Sequence, residues 1–387
     1  MAAAGGRDFW DHVADMDDGS SGSRLGASIA RASEGTSAIV PGSIVAQRFR
    51  VLRILGRGGM GIVFLALHLE LDRRVALKIV REELLVRKDV VNRLIHEARN
   101  AAKLRSEHCT HVLEFGRLES GAPYIVMEYL EGIDLEAYMM AHGPVAPQEA
   151  VGFILQACEA VAEAHAHGII HRDIKPGNLF LATSADGSTS VKVLDFGISK
   201  STHERSPRVI TDPRMVVGSP GHMSPEQVRC SSRVGPAADI WSLGAVLYEA
   251  VTGHCPFEAE SITGIYKRVL DLDPLAPSAY QPSVSDGLER VILRCLRKSP
   301  SERFADVAEL ARDLAPFGPA GSVDLAQRIA RVSALRRTSP ARASRATGDA
   351  SRAAKLTGEE AARAVRFAAP EDATLLLGNT EPSRRPR

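Results

Sequence analysis

A short polar loop at residues 171–178 carries the side chains that are best suited to chemistry. Its sequence is His-Arg-Asp-Ile-Lys-Pro-Gly-Asn, and the Pro-Gly pair marks it as a loop. Asp173 is placed to accept a proton from a hydroxyl group. Asn178, together with Asp195 further along the chain, offers the hard oxygen ligands that Mg²⁺ prefers. These residues indicate proton transfer beside a divalent cation, in preference to a turn whose polar side chains are merely satisfied.

A glycine-rich segment at residues 56–61 could hold phosphate groups. It fits the pattern G-x-G-x-x-G, which is a weak signal alone because a dinucleotide-binding version would be followed by a helix. Here the strand-like segment 62–65 follows. We therefore expect a hairpin whose glycines let backbone N–H groups approach phosphate oxygens. On this motif alone a plain hairpin is an equally good interpretation.

Lys78 closes the segment Val-Ala-Leu-Lys at residues 75–78. A lysine on a central strand is costly to bury unless it is paired. Glu97 lies on the next predicted helix, beside an apolar stripe, and can point inward. We therefore expect a Lys78–Glu97 pair that fixes the ammonium group near nucleotide phosphates, although Glu97 taken alone would more simply belong to a solvated helix face.

The elements that must position these groups fall into two regions. Apolar runs bounded by turn residues predict five strands, at 50–55, 62–69, 75–80, 111–118 and 124–129. Apolar residues at three- to four-residue spacing predict one helix near 90–104 and, after residue 132, helices at 147–167, 237–252, 260–270, 285–298 and 304–314. A small α+β lobe joined to a helical lobe is the implied architecture.

Both ends of the chain have a different composition. Residues 1–46 are rich in Gly, Ser, Ala and Asp, and residues 315–387 are rich in Ala, Arg, Pro and Ser, with 13 basic and 7 acidic residues from residue 318 onward. We expect both ends to be largely disordered. Residues 323–337 place Leu325, Ile329, Val332 and Leu335 on one helical face among arginines. That face could bind a partner or anionic lipid, but a marginal helix in a solvated tail is the favoured interpretation.

Composition excludes several classes of protein. The 48 basic and 47 acidic residues nearly cancel, so no strong field favours nucleic acid or a membrane surface. No segment of 18 uninterrupted apolar residues predicts a membrane span, and the first residues do not resemble a signal peptide. The five cysteines are dispersed and form no C-x-x-C pair, which favours free thiols in a reducing, cytoplasmic setting over a disulfide framework; they are Cys109, Cys158, Cys230, Cys255 and Cys295.

Taken in order, the motifs resemble protein kinases, specifically the bacterial eukaryotic-like (Hanks-type) Ser/Thr protein kinases. The resemblance covers about residues 48–314 and adds Asp-Phe-Gly at 195–197, Ser-Pro-Glu at 224–226, Asp-Ile-Trp-Ser-Leu-Gly at 239–244 and Pro-Ser-Glu-Arg-Phe at 300–304. Each motif is a modest signal, but the ordered set is highly specific. It implies an α+β, bilobal protein-kinase fold over residues 47–314, with an antiparallel-sheet N-lobe at 47–131 and a mainly helical C-lobe at 132–314.

The resemblance also implies roles toward ATP and Mg²⁺. Asp173 would be the catalytic base, Lys175 would contact the γ-phosphate, Asn178 and Asp195 would ligate Mg²⁺, and Lys78, oriented by the helix glutamate Glu97, would hold phosphates. The nucleotide would be bound by Leu55, Gly56, Arg57, Gly58, Gly59, Met60, Gly61, Ile62, Val63, Ala76, Lys78, Glu128, Leu130 and Phe180, with adenine on the backbone of Glu128 and Leu130 and Met127 as the gatekeeper.

Structural and regulatory roles follow from the same resemblance. Glu226 and Arg303 would form a buried ion pair, and Asp239 would brace the catalytic loop. Thr211 would be the main activating phosphorylation site in the 195–226 loop, because its phosphate could pair with Arg172. Where the family usually has Gly-Thr-Pro-x-Tyr, this chain has Gly-Ser-Pro-Gly-His at 218–222, with Ser219 keeping the hydroxyl group and His222 replacing the aromatic residue.

The resemblance implies two kinds of partner. The first is a protein substrate with a Ser or Thr acceptor, because a lysine at the position of Lys175 marks the Ser/Thr-directed members of the family. The second is another copy of the chain, in an N-lobe homodimer during autophosphorylation. No nucleic acid is expected. Three other functions are open: a pseudokinase scaffold, which usually lacks Lys78, Asp173 or Asp195; a small-molecule kinase, which the long 195–226 segment and Lys175 disfavour; and a protein that binds partners through its tails.

Overall fold

The computed structural model describes residues 39–57, 61–80, 98–99, 101–184, 186–196, 220–229 and 234–338. Several predicted residues lie outside these ranges, namely Gly58, Gly59, Met60, Glu97, Thr211 and Cys230. The predictions for residues 1–38 and 339–387 lie outside them as well.

The first part of the chain forms a six-stranded antiparallel sheet. Its strands are β1 (Ile44–Val45), β2 (Phe49–Arg57), β3 (Gly61–His68), β4 (Arg73–Val80), β5 (Val112–Arg117) and β6 (Pro123–Glu128), in the order β1-β2-β3-β4-β6-β5. All except the two-residue β1 match the predicted strands to within a few residues. The central strand β4 is buried on both sides from Val75 onward, because apolar side chains pack against each face of the sheet.

The second part contains a small sheet and most of the helices. Strands β7 (Gly132–Asp134), β8 (Leu179–Thr183) and β9 (Thr189–Val193) form a three-stranded antiparallel sheet. The helices are α1 (Leu135–His142), α2 (Pro147–Ala166), α3 (Pro225–Val228), α4 (Ala237–Thr252), α5 (Ile262–Asp271), α6 (Asp286–Cys295), α7 (Val307–Leu314) and α8 (Ser322–Thr338). Helices α2 and α4 are buried almost all round, as expected for helices that carry apolar residues on every face.

Local sequence explains where several helices begin. The side chains of Asp134, Ser261, Ser285 and Asp306 precede α1, α5, α6 and α7, and each accepts a hydrogen bond from a backbone N–H in the first turn. This N-terminal cap satisfies a donor that has no partner inside the helix. Helix α4 ends at Gly253, whose positive φ of 74° is a conformation that glycine adopts without steric cost.

Helix α8 corrects the expectation that the chain is disordered from residue 315 onward. Residues 322–338 are helical, and Ala326 and Ile329 are buried against the core of the helical lobe. The many arginines of this segment favour a solvated helix, so its sequence does not predict the packing. In the structure Ile329 lies on the predicted apolar face, and the neighbouring Arg328 forms an ion pair with Glu159 on α2. Among the described residues, none of the helices combines the length and the apolar character needed to cross a membrane.

Candidate active site

The loop at residues 171–178 is held in place by one buried carboxylate. Asp239 on α4 is fully buried, and its two oxygens accept hydrogen bonds from the backbone N–H groups of His171 (2.9 Å) and Arg172 (2.8 Å). The ring nitrogen Nε2 of His165 on α2 lies 2.8 Å from the same carboxylate. Burial alone would raise the pKa of Asp239, but the hydrogen bond and charge of His165, with the N–H of Arg172, bring this pKa below its usual value.

The same loop brings Asp173 and Asn178 together. The side-chain amide of Asn178 donates to the backbone carbonyl of Asp173 at 2.7 Å and lies 3.4 Å from its carboxylate. The N–H of Asp173 donates to Nδ1 of His171, and Nε2 of that ring donates to the carbonyl of Leu194. One imidazole therefore ties the loop to the strand that leads to Asp195.

Asn178 and Asp195 lie at the same end of the β8–β9 hairpin. Leu179 pairs with Val193 in the sheet, and the N–H of Leu194 donates to the carbonyl of Asn178 at 2.9 Å. Arg172 and Asp195 both have positive φ, 65° and 51°, a region that non-glycine residues rarely occupy and that clusters at functional sites.

Lys78 connects the first lobe to this hairpin. Its ammonium Nζ lies 2.8 Å from Oδ1 of Asp195, and the residue is 8% exposed. Burial would raise the pKa of Asp195, but the charge and hydrogen bond of Lys78, with a smaller effect from Lys175, hold it below its usual value. The predicted partner Glu97 lies outside the described residues, and within them Lys78 pairs with Asp195.

A bidentate ion pair joins two distant motifs. Arg303 Nη1 and Nη2 lie 2.8 and 2.9 Å from the two carboxylate oxygens of Glu226. The same guanidinium donates to the backbone carbonyls of Ala237, Arg297 and Lys298. A buried guanidinium with this many acceptors fixes the end of α3 to the base of α4.

Arg172 is the cation beside Asp173. Its Nε is buried and has no hydrogen-bond partner among the described residues, while its carbonyl accepts a hydrogen bond from the side chain of Gln227 at 2.8 Å. The loop that would receive a phosphate lies outside the described ranges, as does Thr211.

This geometry agrees with the comparison with known families. The family described as "Protein kinase domain" matches residues 49–313, which is more than half of the chain. The chain belongs to the protein kinase family. A solved PknI kinase domain from Mycobacterium tuberculosis, a double mutant, superposes with a TM-score of 0.55 over 76% of this chain and 99% of that one. At 22% identity this likeness shows the bilobal fold alone.

Several curated bacterial kinases are similar to this kinase domain. Serine/threonine-protein kinase pkn3 of Myxococcus xanthus is 37% identical over 276 residues, which are 70% of this chain and 50% of that protein. PknB of Mycobacterium tuberculosis is 38% identical over 275 residues, 70% and 43% of the two chains. PrkC of Bacillus subtilis is 36% identical over 273 residues, 70% and 41%. The chain thus spans about half or less of the length of these relatives.

Kinases use ATP and a divalent metal, and the donors of this site fit both. The carboxylate of Asp195 and the amide of Asn178 supply hard oxygen atoms of the kind that Mg²⁺ binds, and the ammonium of Lys78 is beside them for phosphate oxygens. The predicted nucleotide-binding residues Leu55 and Ala76 and the predicted gatekeeper Met127 belong to one apolar cluster, with Val63 packed against it. That cluster is an apolar surface against which a purine ring could pack.

Two predicted nucleotide-binding residues, Glu128 and Phe180, have partners of their own. The N–H of Glu128 donates to the carbonyl of His111, so the predicted adenine contact at this residue depends on its carbonyl. The Glu128 side chain lies 3.0 Å from Lys192 and 3.1 Å from His111. Phe180 is buried on β8, where it pairs with Asp134 and Lys192 in the small sheet.

Sequence reasoning missed three residues that support the kinase site. His165 contacts Asp239 across 74 residues of sequence, and Gln227 reaches Arg172 across 55. Glu163 on α2 accepts hydrogen bonds from the N–H groups of Arg105 and Ser106. A capping pattern, Ser224 followed three residues later by Gln227, was the available signal for Gln227.

Proposed function

We propose that this kinase domain transfers the γ-phosphoryl group of Mg²⁺-bound ATP to Ser or Thr hydroxyl groups of proteins. The observation that carries the proposal is the ion pair between Lys78 and Asp195 across the two lobes, next to the hydrogen-bonded pair of Asn178 and Asp173. Phosphoryl transfer depends mainly on positioning and on neutralising charge. These residues provide a base, two oxygen ligands and a cation within one cluster.

Each residue has a distinct part in the proposed reaction. The hydroxyl oxygen of the protein substrate forms a bond to the γ-phosphorus, the bond from that phosphorus to the bridging oxygen breaks, and ADP leaves. The Asp173 carboxylate takes the hydroxyl proton. Lys175 neutralises charge on the transferring group, and its influence on Asp195 supports its position at the site. Asn178 and Asp195 would hold Mg²⁺, which supplies charge neutralisation.

Specificity for Ser and Thr rests on two observations. Lys175 stands two residues after Asp173, as in the Ser/Thr-directed members of the family. The similar proteins pkn3, PknB and PrkC are themselves named serine/threonine-protein kinases. A pseudokinase scaffold is disfavoured, because Lys78, Asp173 and Asp195, which such a protein usually lacks, are all present.

Activation by phosphorylation of Thr211 is part of the proposal. The buried Nε of Arg172, which lacks a hydrogen-bond partner among the described residues, supports an anion-binding role for this guanidinium. A phosphate carrying about −1.5 to −2 charge could pair with it and order the 195–226 loop. A second copy of the chain would transfer this phosphoryl group from ATP to Thr211 and release ADP, and we predict that the two copies meet in an N-lobe homodimer.

The test is phosphate transfer to a Ser/Thr-containing protein by the full chain, with radiolabelled ATP and Mg²⁺. Lys78→Met and Asp173→Asn should each lower the rate by roughly 10²–10⁴-fold. The exposed residues Lys267 and Asp273 provide matched controls, and Lys267→Met and Asp273→Asn should keep the parental rate. Full turnover in Asp173→Asn would refute the assignment of the base. ATP binding without any transfer by the parent chain would favour the scaffold.

Thr211 is tested by treating the protein with phosphatase and then adding ATP and Mg²⁺. New phosphate should map to Thr211 by mass spectrometry, and Thr211→Ala should slow substrate phosphorylation. Arg172→Ala should make the state of Thr211 irrelevant to the rate. A Thr211→Ala variant with parental activity and the same phosphosites elsewhere would place the switch at another residue.

A further inference from the structure

Three potential metal ligands converge near the end of α4. They are His222, Glu249 and Cys255, and their ligand atoms all lie within 4.8 Å of one another. None of them belongs to the proposed ATP and Mg²⁺ site. Imidazole nitrogen, carboxylate oxygen and thiolate sulfur are the three ligand types that Zn²⁺ takes in proteins.

Rigid elements fix the three ligands. His222 ends the short helical turn Pro220–His222, and its carbonyl accepts a hydrogen bond from the Ser242 hydroxyl on α4. Glu249 lies near the end of α4, and Cys255 follows the glycine that terminates that helix. The N–H of Cys255 donates to the carboxylate of Glu258 at 2.8 Å. The site is therefore built on a helix and two turns that are pinned to it.

The polar atoms at this point lack the partners that buried polar atoms normally have. His222 is 6% exposed, yet neither of its ring nitrogens has a hydrogen-bond partner among the described residues, and the same holds for Oε2 of Glu249. Nε2 of His222 lies 2.6 Å from that oxygen, but without the alignment of a hydrogen bond. This contact is an ion pair, and it leaves Nδ1 of His222 without any partner among the described residues. Unsatisfied buried polar atoms are rare and costly, and a cation bound by this imidazole would remove that cost.

Space and charge at the site also favour a cation. Gly221 lies directly against the sulfur of Cys255, which a side chain at position 221 would displace. The carboxylate of Glu249 belongs to the cluster, and that of Glu258 accepts the N–H of Cys255, so two carboxylates place negative charge beside the sulfur. Negative charge favours a divalent cation, and the thiol of Cys255 would release its proton when the cation binds.

We propose that His222, Glu249 and Cys255 form a binding site for Zn²⁺, with three protein ligands and an open fourth position. In tetrahedral coordination the ligand atoms of such a site are about 3.3–3.6 Å apart, so small side-chain rotations complete it from the observed spacing. A bound ion would join the turn at 220–222 to α4. That turn follows directly on the segment 218–219 that carries the acceptor-site sequence, so zinc would fix the edge of the surface that receives the protein substrate.

A second cluster provides an internal comparison. Glu107, His108 and Glu159 also place their ligand atoms within 4.8 Å of one another. The guanidinium of Arg328 lies 2.9 Å from Glu159 and 3.6 Å from Glu107. A cation thus already occupies that cluster, and we expect it to bind no zinc.

The experiment measures Zn²⁺ binding to the full chain by competition with a chromogenic chelator, with excess Mg²⁺ and a phosphine reductant present. We expect one tightly bound ion per chain. Cys255→Ser and Glu249→Gln should each weaken binding by more than the roughly 10–100-fold that loss of an outer-sphere partner costs. Glu107→Gln and Asp195→Asn should bind as the parent does, since they alter the second cluster and the Mg²⁺ site.

Co²⁺ gives a readout that is independent of kinase activity, and its main observation is made on the parental chain. The parental chain loaded with Co²⁺ should show a thiolate-to-metal charge-transfer band in the near ultraviolet, and Cys255→Ser should lose it. Three outcomes would each overturn the proposal: no tight Zn²⁺ binding by the parental chain, parental Zn²⁺ affinity in Cys255→Ser, or a Co²⁺ complex of the parental chain without the thiolate band. None of these outcomes bears on the proposed phosphoryl transfer.

Discussion

The side chain of Gln227 donates a hydrogen bond to the backbone carbonyl of Arg172 at 2.8 Å. The two residues belong to different motifs, the turn that begins α3 and the loop that carries Asp173. Gln227 also interacts with the N–H of Ser224 through its amide oxygen, as in a helix capping box. One amide therefore couples the end of the 195–226 loop to the residue next to Asp173, the proposed catalytic base.

The first prediction is that Gln227→Leu lowers the rate of phosphate transfer, because the lost hydrogen bond acts mainly on the position of Asp173 and less on the free energy of unfolding. Leucine has a similar size but donates no hydrogen bond, so the Arg172 carbonyl loses its partner at a cost of about 0.5–1.5 kcal/mol. If that cost falls on the positioning of Asp173, the rate falls by up to about tenfold. Steady-state kinetics should show a lower kcat, whereas Gln227→Glu, which keeps the acceptor but not the donor, should behave like leucine. Parental kcat in both variants would show that this bond does not position the loop.

The second prediction concerns the acid stability of the kinase domain. The pKa of Asp239 is lower in the folded chain than its ordinary value of about 3.9. The unfolded chain therefore binds more protons in this range, and the group stabilises the fold above about pH 4 and loses this contribution as the pH falls through the lowered pKa. Urea unfolding between pH 3 and pH 7 should show this loss in the parent.

Asp239→Asn isolates that contribution. Its single amide oxygen cannot serve both the N–H of His171 and the N–H of Arg172, so we expect a loss of about 1–3 kcal/mol at neutral pH. The part of the acid slope that belongs to Asp239 should disappear. The exposed Asp273→Asn should stay within about 0.5 kcal/mol of the parent. An unchanged acid slope in Asp239→Asn would show that other carboxylates govern acid unfolding.

The fold was largely predictable because the strands and long helices carry clear apolar periodicity. Strand β1 was missed since two residues are too short for any pattern, and α1 was missed because Leu135 is its one fully buried side chain. For α8 the sequence favours a marginal helix in a solvated tail, because arginines surround the apolar face that carries Ile329. Its packing depends on the surface of α2, which local sequence does not specify.

The motifs predict which residues form the site, but they do not predict the contacts among them. Their order assigns roles to Asp173, Asn178 and Asp195 without giving any distance between them. Partnerships such as that of His165 with Asp239 connect residues far apart in sequence and arise only when α2 packs on α4. The empty hydrogen-bonding positions of His222 were likewise invisible, because a substitution in a motif does not reveal what surrounds it.

The third prediction is an unusually reactive amine at Lys298. Burial lowers the pKa of this lysine to about 8, while Asp273 and Arg303 act in opposite directions. Its ammonium donates to the carbonyl of Val269 at 2.9 Å and lies 4.2 Å from the ring centroid of Phe257. At pH 8 roughly half of the Lys298 amines would be neutral, against under about one in a hundred for an ordinary lysine with a pKa near 10.4.

Pulse acetylation followed by mass spectrometry checks this value. The fraction of Lys298 labelled in the folded chain should rise with pH and level off above about pH 8. In the chain unfolded by urea, the same residue should keep rising toward pH 10, which removes any effect of its sequence neighbours. Matching pH profiles in the folded and unfolded chains would contradict the lowered pKa.

The last prediction is that α8 contributes to the stability of the domain. Ile329 is fully buried against the helical lobe, so Ile329→Ala removes buried methyl groups and leaves a cavity, at a cost of about 2–5 kcal/mol. Val323 on the same helix is 57% exposed, and Val323→Ala should change the free energy of unfolding by less than about 0.5 kcal/mol. Arg328→Ala should cost at most about 1 kcal/mol, because its ion pair with Glu159 is half-exposed.

Urea unfolding followed by circular dichroism ranks the three variants. Equal stability of Ile329→Ala and Val323→Ala would mean that the helix is not docked in solution, as the composition of the tail first suggested. A loss confined to Ile329→Ala would place the end of the stable domain beyond residue 329, since a side chain that does not pack on the lobe cannot leave a cavity in it.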